Sequence, residues 1–192
     1  MRVPVVPYDP AWVEAFERIR SEVLSALGEV AVDAVEHVGS TAVVGLVAKP
    51  VIDVDVVVPE HQVEAAIVAL GAIGYRHRGE LGIPDRHAFR APAGGPARHV
   101  YVCVAGSLAL RNHLAVRDTL RRDAGLRAEY AAVKCALAER DLDSMDEYLA
   151  GKNAVLHKIL DAAGLASDEI GAIAAVNPAE WVWKRRQGDY AT

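Results

Sequence analysis

The run Lys49-Pro50-Val51-Ile52-Asp53-Val54-Asp55-Val56-Val57-Val58 limits what this chain can fold into more than any other stretch. Its residues are mostly β-branched, and side chains alternate across a strand, so Asp53 and Asp55 share one face while Ile52, Val54 and Val56 fill the other. A slip of one residue would carry both charges into the core, which fixes the register. Two carboxylates side by side on a rigid strand repel unless a cation lies between them. Hard oxygen donors of this kind suit Mg²⁺ or Mn²⁺, so Asp53 and Asp55 are the expected metal ligands and catalytic acids.

Upstream, an apolar strand from about Ala34 to Val38 closes in Gly39-Ser40. Thr41 to Leu46 can then begin a short helical turn whose backbone N–H groups receive phosphate oxygens. Twelve residues separate Ser40 from Asp53, so the pattern reads apolar, Gly-Ser, a spacer, then Asp-apolar-Asp. It resembles the signature of the nucleotidyltransferase superfamily with the polymerase-β-like fold. That resemblance implies that Gly39, Ser40 and Thr41 seat a nucleoside triphosphate while Asp53 and Asp55 hold metal.

The wider words Glu36-His37-Val38-Gly39-Ser40-Thr41 and Lys49 to Val58 are similar to one family of that superfamily, the GrpB-like (UPF0157) proteins. Tyr8-Asp9-Pro10-Ala11-Trp12, Gly79 to Pro84, His99 to Cys103 and Asn112 to Asp118 follow as further family-like words in family order. Together they run from about Val3 to Leu160. The resemblance implies an α+β, polymerase-β-like fold: a mixed β-sheet packed with helices, plus a C-terminal helical lobe. One domain is expected over 1–165, with a sheet lobe over about 1–105, a helical lobe over about 106–165 and an extension over 166–192. It implies an NTP substrate with Mg²⁺ or Mn²⁺, and it names no acceptor.

With 52% hydrophobic and 24% charged residues, the 192-residue chain is of ordinary globular composition and long enough to bury one sizeable core. A net charge of −5 argues against a nonspecific nucleic-acid binder and favours small substrates. The proline-broken start Val3-Pro4-Val5-Val6-Pro7 does not read as a signal peptide, and no apolar run is as long as a membrane span. Cys103 and Cys135 lack metal-ligand or redox spacing. A cytoplasmic protein is the expectation.

Asp9 and Pro10 open an amphipathic helix through Trp12, Phe16, Ile19, Val23 and Leu27, ended by Gly28. Lys49, just ahead of the acid strand, is within plausible reach of a triphosphate at Ser40, or is a solvated edge lysine. A helix after Pro59 carries Val63, Ala66, Ile67 and Leu70, and short strands and turns fill 75–104. Superfamily members often carry a third carboxylate on a later strand, yet Arg98-His99-Val100-Tyr101-Val102 has none. His99 is therefore the candidate proton acceptor, with Tyr101 on the same face and Glu80 in reserve.

Beyond Ser107 the chain reads as helical, and His113, Arg117 and Arg121 form a four-residue ladder suited to phosphate. A helix over about Leu126–Arg140 carries Lys134. A third is expected as one piece from Asp143 through Leu160, with Tyr148 and Lys152 on its polar flank facing the cleft. Ser167 can cap one more short helix. Trp181 and Trp183 stand beside three basic residues in a tail of open role.

The leading function is transfer of a nucleotidyl group from an NTP to a small-molecule acceptor. A noncatalytic nucleotide-binding module, supported by the missing acid, and a metal-dependent hydrolase are the alternatives. Two residues depart from the family words: Val44 where proline is expected, and Asp85 where glycine is expected.

Overall fold

The computed structural model describes residues 2–175. Among them are a five-stranded mixed sheet and seven α-helices, in the α+β arrangement expected. The strands are β1 (Ala34–Val38), β2 (Ile52–Val58), β3 (Arg76–His77), β4 (Arg86–Arg90) and β5 (Arg98–Val104), ordered β1-β2-β5-β4-β3. Only β2 and β5 run parallel; the other pairs are antiparallel.

The alternation of β2 decides which face is core. Ile52, Val54, Val56 and Val58, with Val100 and Val102 of β5, bury against α1 (Ala11–Leu27) and α2 (Val63–Ala72) through Phe16, Ile19, Val23, Ala66 and Leu70. Helix α1 begins where Asp9 Oδ1 accepts the Ala11 N–H at 2.9 Å, as its sequence predicts. The opposite face carries Asp53, Asp55 and Val57. Register places Val38 and His99 beside Asp53, and Glu36 and Tyr101 beside Asp55.

Helix α3 (Leu108–Arg122), capped by the Ser107 hydroxyl, lies over part of this second face, with Leu110 packed on Val57 and Cys103. Behind it come α4 (Ala124–Glu139), α5 (Met145–Ala150), α6 (Asn153–Ala162) and α7 (Ser167–Ala175). The loop after Gly39 sends Val43 and Leu46 into a cluster with Leu120, Tyr130, Val155 and Ile159. The segment between β1 and β2 is thereby anchored on the helices while its start stays on the sheet.

One expected element is divided. The helix read as continuous after Asp143 breaks at Gly151-Lys152 into α5 and α6. A Cβ on Gly151 would fall 2.6 Å from Leu137 Cδ2, so glycine there leaves room for the Leu137 side chain of α4 to pack on the chain at the break. The reading of Trp181 and Trp183 lies outside the described residues. Among the described residues no helix is long and apolar enough to cross a membrane.

Candidate active site

Gly39 ends β1 with φ +69° and ψ −170°, a region that glycine occupies almost alone. A Cβ there would sit 2.2 Å from Asp53 Oδ2. The glycine is thus required twice, by its backbone angle and by the carboxylate packed on its α-carbon. The next residue, Ser40, starts a single 3₁₀ turn (Ser40–Ala42). Thr41 turns inward: its hydroxyl donates to the Val51 carbonyl at 3.3 Å and lies 3.0 Å from His37 Nε2. What Thr41 can offer a phosphate is therefore its backbone, not its hydroxyl. His37 stacks on Phe16, and burial lowers its pKa to about 4, so it stays neutral as part of the core.

The two acids differ in setting. Asp53 is partly open, and its Oδ1 lies 2.9 Å from His99 Nδ1. An ionised carboxylate only accepts, so Nδ1–H donates, and in the neutral imidazole Nε2 is then the acceptor, on a side chain 54% exposed. Asp55 is fully buried, and its Oδ2 lies 2.8 Å from His113 Nδ1. Burial works against a charge on His113, but the charge and hydrogen bond of Asp55 outweigh it and raise the imidazole pKa. Asp55 Oδ1 has no hydrogen-bond partner.

An unsatisfied buried carboxylate oxygen is costly, and two hard oxygen donors on one face fit a small divalent cation. Among the described residues no group of three or more His, Cys, Asp or Glu forms a cage that could hold a metal alone. Mg²⁺ is commonly held by one or two carboxylates together with substrate phosphates and water, which is what this pair could supply.

Lys49 in the loop before β2, Lys134 on α4 and Lys152 at the start of α6 all lie within electrostatic reach of Asp53. Burial is the main depressor for each, with Lys152 opposing Lys49 and Lys134 and with Asp53 as a partial counterweight. Lys134 falls to about 7 and Lys152 to about 8. Lys134, only 2% exposed, donates to the Val47 carbonyl, and Lys49 Nζ lies 3.9 Å from Met145 Sδ. Among the described residues none of the three forms an ion pair with a carboxylate. One buried and two half-buried cations without a paired carboxylate favour an anion richer in charge than one carboxylate.

Sequence reading names Lys134 on its helix without a site role and passes over Tyr130, although a signal exists. Tyr130 and Lys134, like Tyr148 and Lys152, are four apart, and in both pairs the ammonium lies over the ring, at 5.2 and 4.7 Å from its centre. Burial pushes the Tyr130 hydroxyl up to about 12, with Ser40 as a partial counterweight. Tyr130 packs with Val43 and Leu46, so α4 meets the segment that follows the phosphate turn.

The basic ladder on α3 is divided among three tasks. His113 meets Asp55. Arg117 pairs with Asp118 at 2.7 Å, and its Nη1 donates to Glu36 and to the His37 carbonyl. Arg121 donates twice to the Ala42 carbonyl, at 2.8 and 3.1 Å. Both guanidiniums clamp α3 onto β1 and the phosphate turn, and protein oxygens already occupy the donors expected to face phosphate. Glu80, held in reserve as a proton acceptor, instead accepts the Asp85 N–H at 2.7 Å and shapes the turn before β4.

The family profile described as GrpB protein matches residues 2–162. The chain belongs to the GrpB family. It is 40% identical over 167 residues to a UPF0157 protein of Streptomyces coelicolor, covering 86% of this chain and 87% of that one. A UPF0157 protein of Deinococcus radiodurans is 35% identical over 162 residues, with coverages of 81% and 79%. Among solved structures, the conserved protein GrpB from Enterococcus faecalis superposes with a TM-score of 0.73 at 35% identity, over 83% of this chain and 96% of that one. The Cid1 poly(U) polymerase, solved with MgGTP bound, superposes with a TM-score of 0.56 at 17% identity, over 80% of this chain and 50% of that one. The fold of this chain is thus shared with that GrpB protein and with half of the Cid1 chain.

Proposed function

We propose that this GrpB protein is a metal-dependent nucleotidyltransferase that moves a nucleotidyl group from an NTP to a small-molecule acceptor. The observation that carries the reading is the convergence on Asp53 of a glycine without room for a side chain and three lysines without counter-ions. Ser40 and the backbone of the turn receive the triphosphate, and Lys49, Lys134 and Lys152 neutralise its β- and γ-phosphates. A divalent cation held by Asp53 and Asp55 supplies charge neutralisation at the reacting phosphate when bound.

The acceptor oxygen bonds to the α-phosphorus as the bond to the β-phosphate oxygen breaks, and pyrophosphate leaves with the electron pair. His99 Nε2, oriented by Asp53, takes the acceptor's proton. Most of the acceleration comes from positioning and charge stabilisation. An NTP-dependent reaction needs a compartment rich in NTP and Mg²⁺, which is the ground for assigning it to the cytoplasm.

One observation favours a second reading, a nucleotide-binding module without turnover: the residue paired with Asp53 on β5 is His99, not an acid. Thermal unfolding with each NTP and Mg²⁺ tests both. A ligand at one hundred times its Kd adds about 2.7 kcal/mol to stability. Stabilisation by an NTP, lost in Asp53→Asn and Asp55→Asn, with pyrophosphate release once an acceptor is supplied, is the expected outcome. Stabilisation without release across an acceptor panel selects the module, and no stabilisation by any NTP removes both.

A further inference from the structure

Among the described residues two buried side-chain atoms have no hydrogen-bond partner, Asp55 Oδ1 and Arg86 Nε. Arg86 begins β4, where its register partner is Cys103, and so it stands on the acid-bearing face, one strand beyond β5. It is 8% exposed, its guanidinium lies over the Tyr101 ring at 4.6 Å, and among the described residues it forms no ion pair or hydrogen bond. The other buried guanidiniums are matched: Arg98 donates to the Tyr75 hydroxyl and to two carbonyls and pairs with Glu22, and Arg117 pairs with Glu36 and Asp118. A buried guanidinium without an anion is costly, so Arg86 is the exception that calls for a ligand.

Its position relative to the acids is also informative. The three lysines gather on Asp53, whereas the charge of Arg86 acts on His113 and Cys103, the neighbours of Asp55. The lysines thus act on Asp53, whereas Arg86 stands on the sheet over Tyr101, the register partner of Asp55. We propose that Arg86, stacked on Tyr101, binds one phosphate or carboxylate group of the acceptor, which makes the acceptor a small anionic molecule. Calling that molecule the acceptor rests on the transferase reading above; the anion site itself does not. Guanidinium matches such oxyanions through two parallel hydrogen bonds, a fit that a lysine cannot reproduce.

The test follows the Arg86 Nε–H resonance of ¹⁵N-labelled protein, assigned by its loss in Arg86→Met, during titration with inorganic phosphate and, separately, acetate. Each titration is repeated with a non-hydrolysable NTP analogue and Mg²⁺. A saturable shift that chloride at equal ionic strength does not produce, and that persists with the analogue bound, is expected; the anion that saturates first names the class. Calorimetry should find binding at this site weakened roughly tenfold in Arg86→Met and in Arg86→Lys, the latter retaining a charge should Met fail to fold. The proposal falls if the resonance stays still while phosphate saturates other signals, if chloride moves it equally, or if the analogue abolishes the response, which would assign Arg86 to the NTP. An analogue that fails to bind removes the transferase reading, while the phosphate and acetate titrations still decide Arg86.

Discussion

Gly39 is where backbone and chemistry meet most tightly. Gly39→Ala would force a methyl group to within 2.2 Å of Asp53 Oδ2 and strain a φ of +69°. A backbone strain of about 1–3 kcal/mol is tolerable for a folded domain, but the displaced carboxylate is not tolerable for the site. The expected result is a folded protein with a modestly lower Tm and no Mg²⁺-dependent nucleotide stabilisation; unchanged nucleotide binding would show that Asp53 does not depend on this contact. The two departures from the family words also resolve at this scale. Asp85, standing where glycine was expected, adopts φ +61°, a left-handed angle that Asp tolerates better than most residues, and the Glu80 carboxylate accepts its N–H. Val44, standing where proline was expected, is 70% exposed, while its neighbours Val43 and Leu46 anchor the loop.

Helix α3 works as a brace as well as a wall of the site. Its Arg117 joins Glu36 of β1, the His37 carbonyl and Asp118, and Arg121 joins the Ala42 carbonyl, so the phosphate turn is held between sheet and helix. Removing the hub leaves Glu36 beside Asp55 without its partner. Arg117→Ala should therefore lower unfolding free energy by about 1–3 kcal/mol, more than an exposed ion pair is worth. Urea denaturation measures the loss, and an unchanged midpoint would reduce Arg117 to a surface charge. The break between α5 and α6 does comparable work for Lys152. Gly151 lets the chain approach Leu137 and start α6 afresh, which leaves Lys152 near Lys49, Lys134 and Asp53.

For the molecule as a whole, the lysine cluster couples folding and ligand binding to pH with opposite signs. Lys134 and Lys152 have pKa values lowered to about 7 and about 8 in the folded protein, against 10.5 ordinarily. Between about pH 7 and pH 10 the unfolded chain holds protons that the folded lysines have released, so the unliganded protein gains stability as pH rises. A bound triphosphate returns those protons by raising both pKa values. Nucleotide affinity should then fall from pH 7 to pH 9, with proton uptake on binding. Calorimetry in buffers of different ionisation enthalpy measures that uptake; its absence, or an affinity that rises with pH, would detach the lysines from the phosphates.

The acid strand, its register, the Gly39-Ser40 turn, the caps of α1 and α3 and the family were all legible in the sequence, because each rests on local periodicity or on a motif only a few residues long. Which cations serve the acids was not legible. The ladder His113, Arg117 and Arg121 has the spacing of a phosphate comb, yet its guanidiniums are consumed by the adjacent Asp118 and by Glu36 and backbone carbonyls brought in from about eighty residues away. Arg86, which opens a short strand, carried no local mark, and Lys134, mid-helix, carried only its four-residue spacing to Tyr130. Their importance comes from burial without a counter-ion, and burial is set by how the helices and the sheet close on one another, a property of packing that spacing along the chain does not encode.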